Sequence, residues 1–217
     1  MSQPGVGIPA STSPRVVMYK RPAQRKQNRG SRGQALVEFS LVLLLFMTIF
    51  MGVIEFGSAF AVKIQISFAS RDAATVAAES GGSPATADGA ILNQIDRDVQ
   101  APAARANIDH VDIYWSKADG TVNSGAIERY TPGGLLFPGW GGWTNAMDAY
   151  PGSSRCAFIG GTTYGCLTGH TGPDTIGVSI VYRYSWVTPL PNLVSLAGTG
   201  MTFTQTNLST MEPIPAI

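Results

Sequence analysis

Two acids frame a long apolar run: Glu38 at its start and Glu55 near its end. A carboxylate inside a membrane-length helix costs about 3 kcal/mol by insertion scales unless it faces a partner or reaches the interface. The chemistry it offers is charge pairing. Gly52 and Gly57 flank Glu55, and small residues let helices approach closely. A second set, Asp109-His110-Val111-Asp112, has the residue types of a general base and its orienting acid. On a strand the same set is a polar face. Cys156 and Cys166 are the only cysteines and enclose nine residues. In an oxidising compartment they are expected to form a disulfide within their loop. With only His110 and His170 beside them, they lack metal-ligand spacing. The sequence holds no P-loop, G-x-S-x-G, H-E-x-x-H or dinucleotide fingerprint. We therefore expect a non-enzymatic protein with no cofactor and no metal.

The apolar run must be placed by its flanks. Charged residues make up 13% of the 217-residue chain, against about 25% in typical globular proteins. The net charge of +1 hides an asymmetry. Seven Lys/Arg and no acid precede Glu38, whereas from Lys63 onward there are eight basic and twelve acidic residues. A basic leader before an apolar run reads as a cytoplasmic flank. It has one aromatic (Tyr19) and no repeat, so nucleic acid is not an expected partner. No charge falls between Phe39 and Ile54. If Glu55 is tolerated the helix reaches Val62, roughly 36 Å at 1.5 Å per residue, enough to cross a bilayer with some tilt. The competing reading is a cleaved secretory signal, because Ala59-Phe60-Ala61 has the small-x-small form that a signal peptidase accepts. Glu38 and Glu55 are seventeen residues apart, so they lie about 25 Å apart along a helix and roughly 100° around it. They do not share a stripe. Glu38 can reach the interface by snorkelling. Glu55 faces either a partner helix or a shallow interface.

The remainder gives four expected segments: a basic leader at 1–33, a transmembrane helix at 34–62, its extension at 63–80, and an extracytoplasmic domain at 85–217. The alanines Ala73, Ala74, Ala77 and Ala78 favour continuation of the helix, and Gly81-Gly82-Ser83-Pro84 stops it. A second helix is expected from Ala85 to about Gln100. "DHVDIYWS" places Val111, Ile113 and Trp115 on one strand face, and Lys117-Ala118-Asp119-Gly120 supplies a turn. In Thr175–Val187, Ile176, Val178, Ile180, Tyr182, Tyr184 and Trp186 alternate with Gly177, Ser179, Val181, Arg183 and Ser185. This is the pattern of a half-buried antiparallel strand. Met201–Ser209 reads as a last, Thr-rich strand. Residues 130–171, rich in Gly and Trp, show no clean period and read as a long loop or a loop with short elements. Trp140 and Trp143 there either form an exposed patch for a partner or tuck the loop onto the sheet. The expected fold is α+β: a transmembrane helix continuing into an extracytoplasmic helix packed on a small antiparallel sheet.

The stretch "RGSRGQALVEFSLVLLLFMTIFMGVIEFGSAF" resembles the N-terminal signature of TadE-like proteins, the pilin-like membrane proteins of tight-adherence (Tad/Flp) pilus systems. The resemblance rests on Gly33, Val37-Glu38-Phe39 and Glu55-Phe56-Gly57, with an echo in the Ala-rich helix around Arg71. It covers roughly Arg29 to Ser80. It implies a minor pseudopilin of the bacterial inner membrane, with other pilin-like subunits, the Tad assembly platform and a prepilin peptidase as partners. It also implies a peptidase cut after Gly33, which makes Gln34 the new N-terminus and Glu38 a charge that pairs with a neighbouring subunit's amine. Glu38, Gly52, Glu55 and Gly57 would then set the packing between helices. The other class of function is a single-pass surface-binding module whose helix is only an anchor.

Overall fold

The computed structural model describes residues 29–80, 86–133, 142–159, 162–164, 172–189 and 200–211. The elements run α1 (Arg29–Glu79), α2 (Ala87–Asp98), β1 (Ile108–Ser116), β2 (Val122–Pro132), β3 (Trp143–Asp148), β4 (Ala157–Ile159), β5 (Thr162–Tyr164), β6 (Thr175–Ser185) and β7 (Gly200–Thr210). They fall into two units, 1–44 and 45–217. The described part of the first unit is helix, with Leu36, Phe39 and Leu44 exposed. Ala35 and the leucines Leu36, Leu41, Leu43 and Leu44 in it are strong helix formers.

The second unit is a two-layer α+β domain. Its sheet has the order β3-β2-β1-β6-β7, and every neighbouring pair is antiparallel. A small hairpin pairs β4 with β5. Register aligns one apolar face: Val111 opposite Ile180, Ile113 opposite Val178, Trp115 opposite Ile176. That face buries Val111, Ile113, Ile176, Val178, Ile180 and Tyr182 against α1 and α2. The helix meets it through small side chains. Ala69, Ala73, Ala74 and Ala77 are buried, and an alanine face lets the helix axis come close to the sheet. Ile66, Ile91, Leu92 and Ile95 are fully buried, each stabilising the fold by roughly 1.5–3 kcal/mol.

Polar side chains then fix the register of α1 on the sheet. Ser70 Oγ donates to the Val178 carbonyl at 3.0 Å, and Asn207 Nδ2 donates to Ser70 Oγ at 2.9 Å. Gln65 Nε2 donates to the Asp98 carbonyl at 2.8 Å, tying α1 to the end of α2. The opposite sheet face is hydroxyl-rich: Thr206 donates to Ser179, and Thr175 pairs with Thr210, both at 3.0 Å. Gly177 also lies on that face, opposite Tyr114. A Cβ there would sit 2.3 Å from the Tyr114 ring, so only glycine admits the tyrosine.

The α+β class matches the sequence expectation. Within 130–171 the described residues hold short elements: β2 carries the chain in as far as Pro132, Trp143–Asp148 is the edge strand β3, and β4 and β5 form the small hairpin.

Candidate functional site around the apolar helix

Every large apolar residue from Leu36 to Ile54 is exposed. The helix is long and apolar enough to cross a membrane, and none of its most apolar window is buried within the chain. Solvent-exposed leucines and phenylalanines in such density call for lipid or other helices. A Cβ at Gly33, Gly52 or Gly57 would meet no atom within 4 Å among the described residues. The backbone is therefore open to close approach at these three positions.

The two acids of this helix have opposite environments. Glu38 is exposed, and among the described residues its hydrogen-bond partner is Gln34, whose Nε2 donates at 3.0 Å from one turn away. Glu55 is 3% exposed. Its Oε1 accepts from the Tyr184 hydroxyl and from the Val187 N–H, both at 2.9 Å. Its Oε2 accepts from the Thr188 N–H at 2.7 Å. Both carboxylate oxygens are thus filled by the segment that leaves β6. Burial and the Glu55 carboxylate beside it push the Tyr184 hydroxyl up to about 12. Of the two readings of Glu55, a partner helix or a shallow interface, neither named this contact: among the described residues its partners lie in the same chain. Sequence reasoning placed Tyr184 on the inward strand face but had no signal for the contact. The two ends are 129 residues apart.

Of the two readings of Trp143, an exposed patch or a ring tucked onto the sheet, the structure gives the second. Trp143 is 1% exposed. Its Nε1 donates to Asp96 Oδ2 at 3.1 Å, and the Arg105 guanidinium lies 4.9 Å above its ring. An indole held from both sides by α2 and by the segment before β1 is core, not a partner surface. Trp140 and Cys166 lie outside the described residues. Cys156 is fully buried, and its N–H donates to Asp174 Oδ2 at 2.8 Å.

His110 sits between two carboxylates. Its Nδ1 is 2.8 Å from Asp109 Oδ2, and its Nε2 is 3.6 Å from Asp112 Oδ2. Asp112 is also held by Arg129 through two contacts of 2.7 Å, and Asp109 pairs with Arg183. Each acid already takes an arginine. The arrangement is an ion network on a sheet face, and no hydroxyl among the described residues hydrogen-bonds the imidazole.

A second polar cluster, unsuspected from the sequence, is buried. Arg155 Nη2 contacts Asp88 Oδ1 and lies 3.1 Å from Glu128 Oε2. The Tyr130 hydroxyl donates to the same Glu128 oxygen at 3.1 Å. Asp88 stands in the first turn of α2, where the helix dipole favours an anion. The cluster joins α2, β2 and the loop before β4.

Residues 33–75 match the family model described as TadE-like protein. Over that segment the chain is similar to TadE-like proteins. The matched segment holds Gly33, Gln34, Glu38, Gly52, Glu55 and Gly57, and it ends within α1, before the sheet begins. TadE-like proteins belong to Tad pilus systems. One span-like helix and that similarity both point toward membrane anchoring. No curated protein and no solved structure matches the chain.

Proposed function

We propose that this chain is a non-enzymatic TadE-like minor pseudopilin, anchored by α1 in the bacterial inner membrane and working in Tad pilus biogenesis. The observation that carries the proposal is the state of Glu38. Its carboxylate is exposed beside an exposed apolar run, and Gln34 of the same helix is the group that touches it. A carboxylate at a lipid boundary is stabilised by a cation from a neighbouring subunit. Cleavage after Gly33 would create such a cation on each subunit, the amine of Gln34. The basic leader puts the N-terminus in the cytoplasm and the sheet domain outside. The prepilin peptidase and the other pilin-like subunits are then the direct partners. The burial of Trp143 weakens the alternative of an aromatic surface-binding module.

Glu38→Ala tests the proposal. The side chain is exposed, so the melting of the sheet domain should shift by less than about 0.5 kcal/mol. Assembly of pili, scored by electron microscopy and by co-purification with the assembly platform, should be lost. Wild-type piliation in this variant would sink the reading.

Mass spectrometry of the membrane-extracted protein tests processing. The expected species starts at Gln34 and carries a Cys156–Cys166 disulfide within the loop. An intact Met1, or a start after Ala61, removes the cleavage proposal. Free thiols at both cysteines remove the disulfide.

A further inference from the structure

The second unit has a groove of about 170 Å³ between α1 and β7, lined by Phe56, Ala59, Phe60, Lys63, Met201 and Phe203. Five of these residues are apolar, and Lys63 is the one charge. The rings of Phe56 and Phe60 are 63% and 61% exposed, and Met201 is 40% exposed. The nearest acid in sequence, Glu55, is already filled by Tyr184, Val187 and Thr188. Among the described residues, no acid lines the groove beside Lys63.

The groove begins directly after the exposed run Leu45–Ile54 on the same helix, so it continues the apolar surface that meets the bilayer. An apolar trough with one cation at its mouth matches a molecule with a long apolar tail and an anionic head. A protein partner would leave Lys63 unpaired unless it brought its own acid, whereas an anionic lipid supplies both halves.

We propose that this groove holds an anionic phospholipid of the bilayer that α1 crosses, its acyl chain against Phe56, Phe60, Met201 and Phe203 and its phosphate on Lys63. The proposal rests on the membrane-spanning reading of α1.

The test uses full-length protein in nanodiscs of phosphatidylethanolamine doped with photoactivatable phosphatidylglycerol or, separately, photoactivatable phosphatidylcholine. Cross-linked peptides are mapped by mass spectrometry. The phosphatidylglycerol probe should label both the Phe56–Lys63 and the Met201–Phe203 peptides, about fivefold more than the phosphatidylcholine probe. Lys63→Gln, a change at an exposed side chain, should erase that difference. Equal labelling by the two probes overturns the proposal, as does label confined to the helix peptide. An amine-reactive reagent that joins Lys63 of two copies and displaces the label assigns the groove to a second copy and also overturns it. Nanodiscs that carry no protein overturn the span and the groove together. Nanodiscs that carry it without the probe difference overturn the groove alone.

Discussion

Arg155→Ala should lower the stability of the sheet domain by about 3–5 kcal/mol, the cost of breaking a buried ion pair by removing one partner. The side chains of Arg155, Asp88 and Glu128 are 2%, 7% and 1% exposed. Without the guanidinium, the Asp88 carboxylate stays in the interior beside Glu128 with no cation to balance it. The contact of Arg155 over the Tyr150 ring, 5.4 Å from its centroid, is lost as well. Denaturant melts of the full chain in detergent check the value. A loss under about 1 kcal/mol would mean that the cluster relaxes without its cation.

The same cluster has a pH signature. Burial, and then the Asp88 carboxylate, push Glu128 up to about 9, with Arg155 pulling the other way. At neutral pH Glu128 therefore holds its proton, and Arg155 and Asp88 balance. Its folded value lies above its unfolded one. Its contribution to stability is thus complete below about pH 4.5 and is lost as pH rises through about 9. Glu128→Gln mimics the protonated form. The variant should melt like the wild type near pH 5 and gain on it steadily toward pH 9. Parallel profiles over that range would show that Glu128 is ionised in the fold.

Glu55→Ala should cost about 2–4 kcal/mol, because it leaves the Val187 and Thr188 N–H groups and the Tyr184 hydroxyl without their acceptor. Glu55→Gln keeps one oxygen and should fall between. Tyr184→Phe removes one bond and should cost about 1 kcal/mol. Amide hydrogen exchange at Val187 and Thr188 reports the contact directly: protection should vanish in Glu55→Ala and persist in Tyr184→Phe. Unchanged protection in Glu55→Ala would mean that water or another group replaces the carboxylate. The contrast with Glu38→Ala separates the two acids. One variant should lose assembly with its melting intact, and the other should lose stability first.

Two of the strands that sequence reading found, β1 and β6, have apolar residues at their inward positions. Ile176, Val178, Ile180, Tyr182 and Tyr184 announce β6 by alternation alone. The inward positions of β2 include Ala126, Glu128 and Tyr130, and the buried acid breaks the pattern. Gly125, at a φ of 72°, breaks it again. In β3 a single buried tryptophan is followed by Thr144 and Asn145, too little periodicity to register. The helix was legible because its apolar run and its alanine face are local. Of the candidate site, the residues Gly33, Glu38 and Glu55 were legible because they fall in one short stretch. Their environments were not, since the groups that fill Glu55 come from the far end of the chain. Arg155 was invisible for the same reason, lying 67 residues from Asp88 and 27 from Glu128.

The sequence distance across the Glu55 contact also sets an order of events during synthesis. The helix leaves the ribosome long before Tyr184, Val187 and Thr188 exist. At about 5–20 residues per second the carboxylate waits on the order of 10 s for them. Through that interval the newborn chain carries an unmatched acid in its apolar helix, so it is the emergence of β6 that closes the joint and ends the vulnerable phase of its biogenesis.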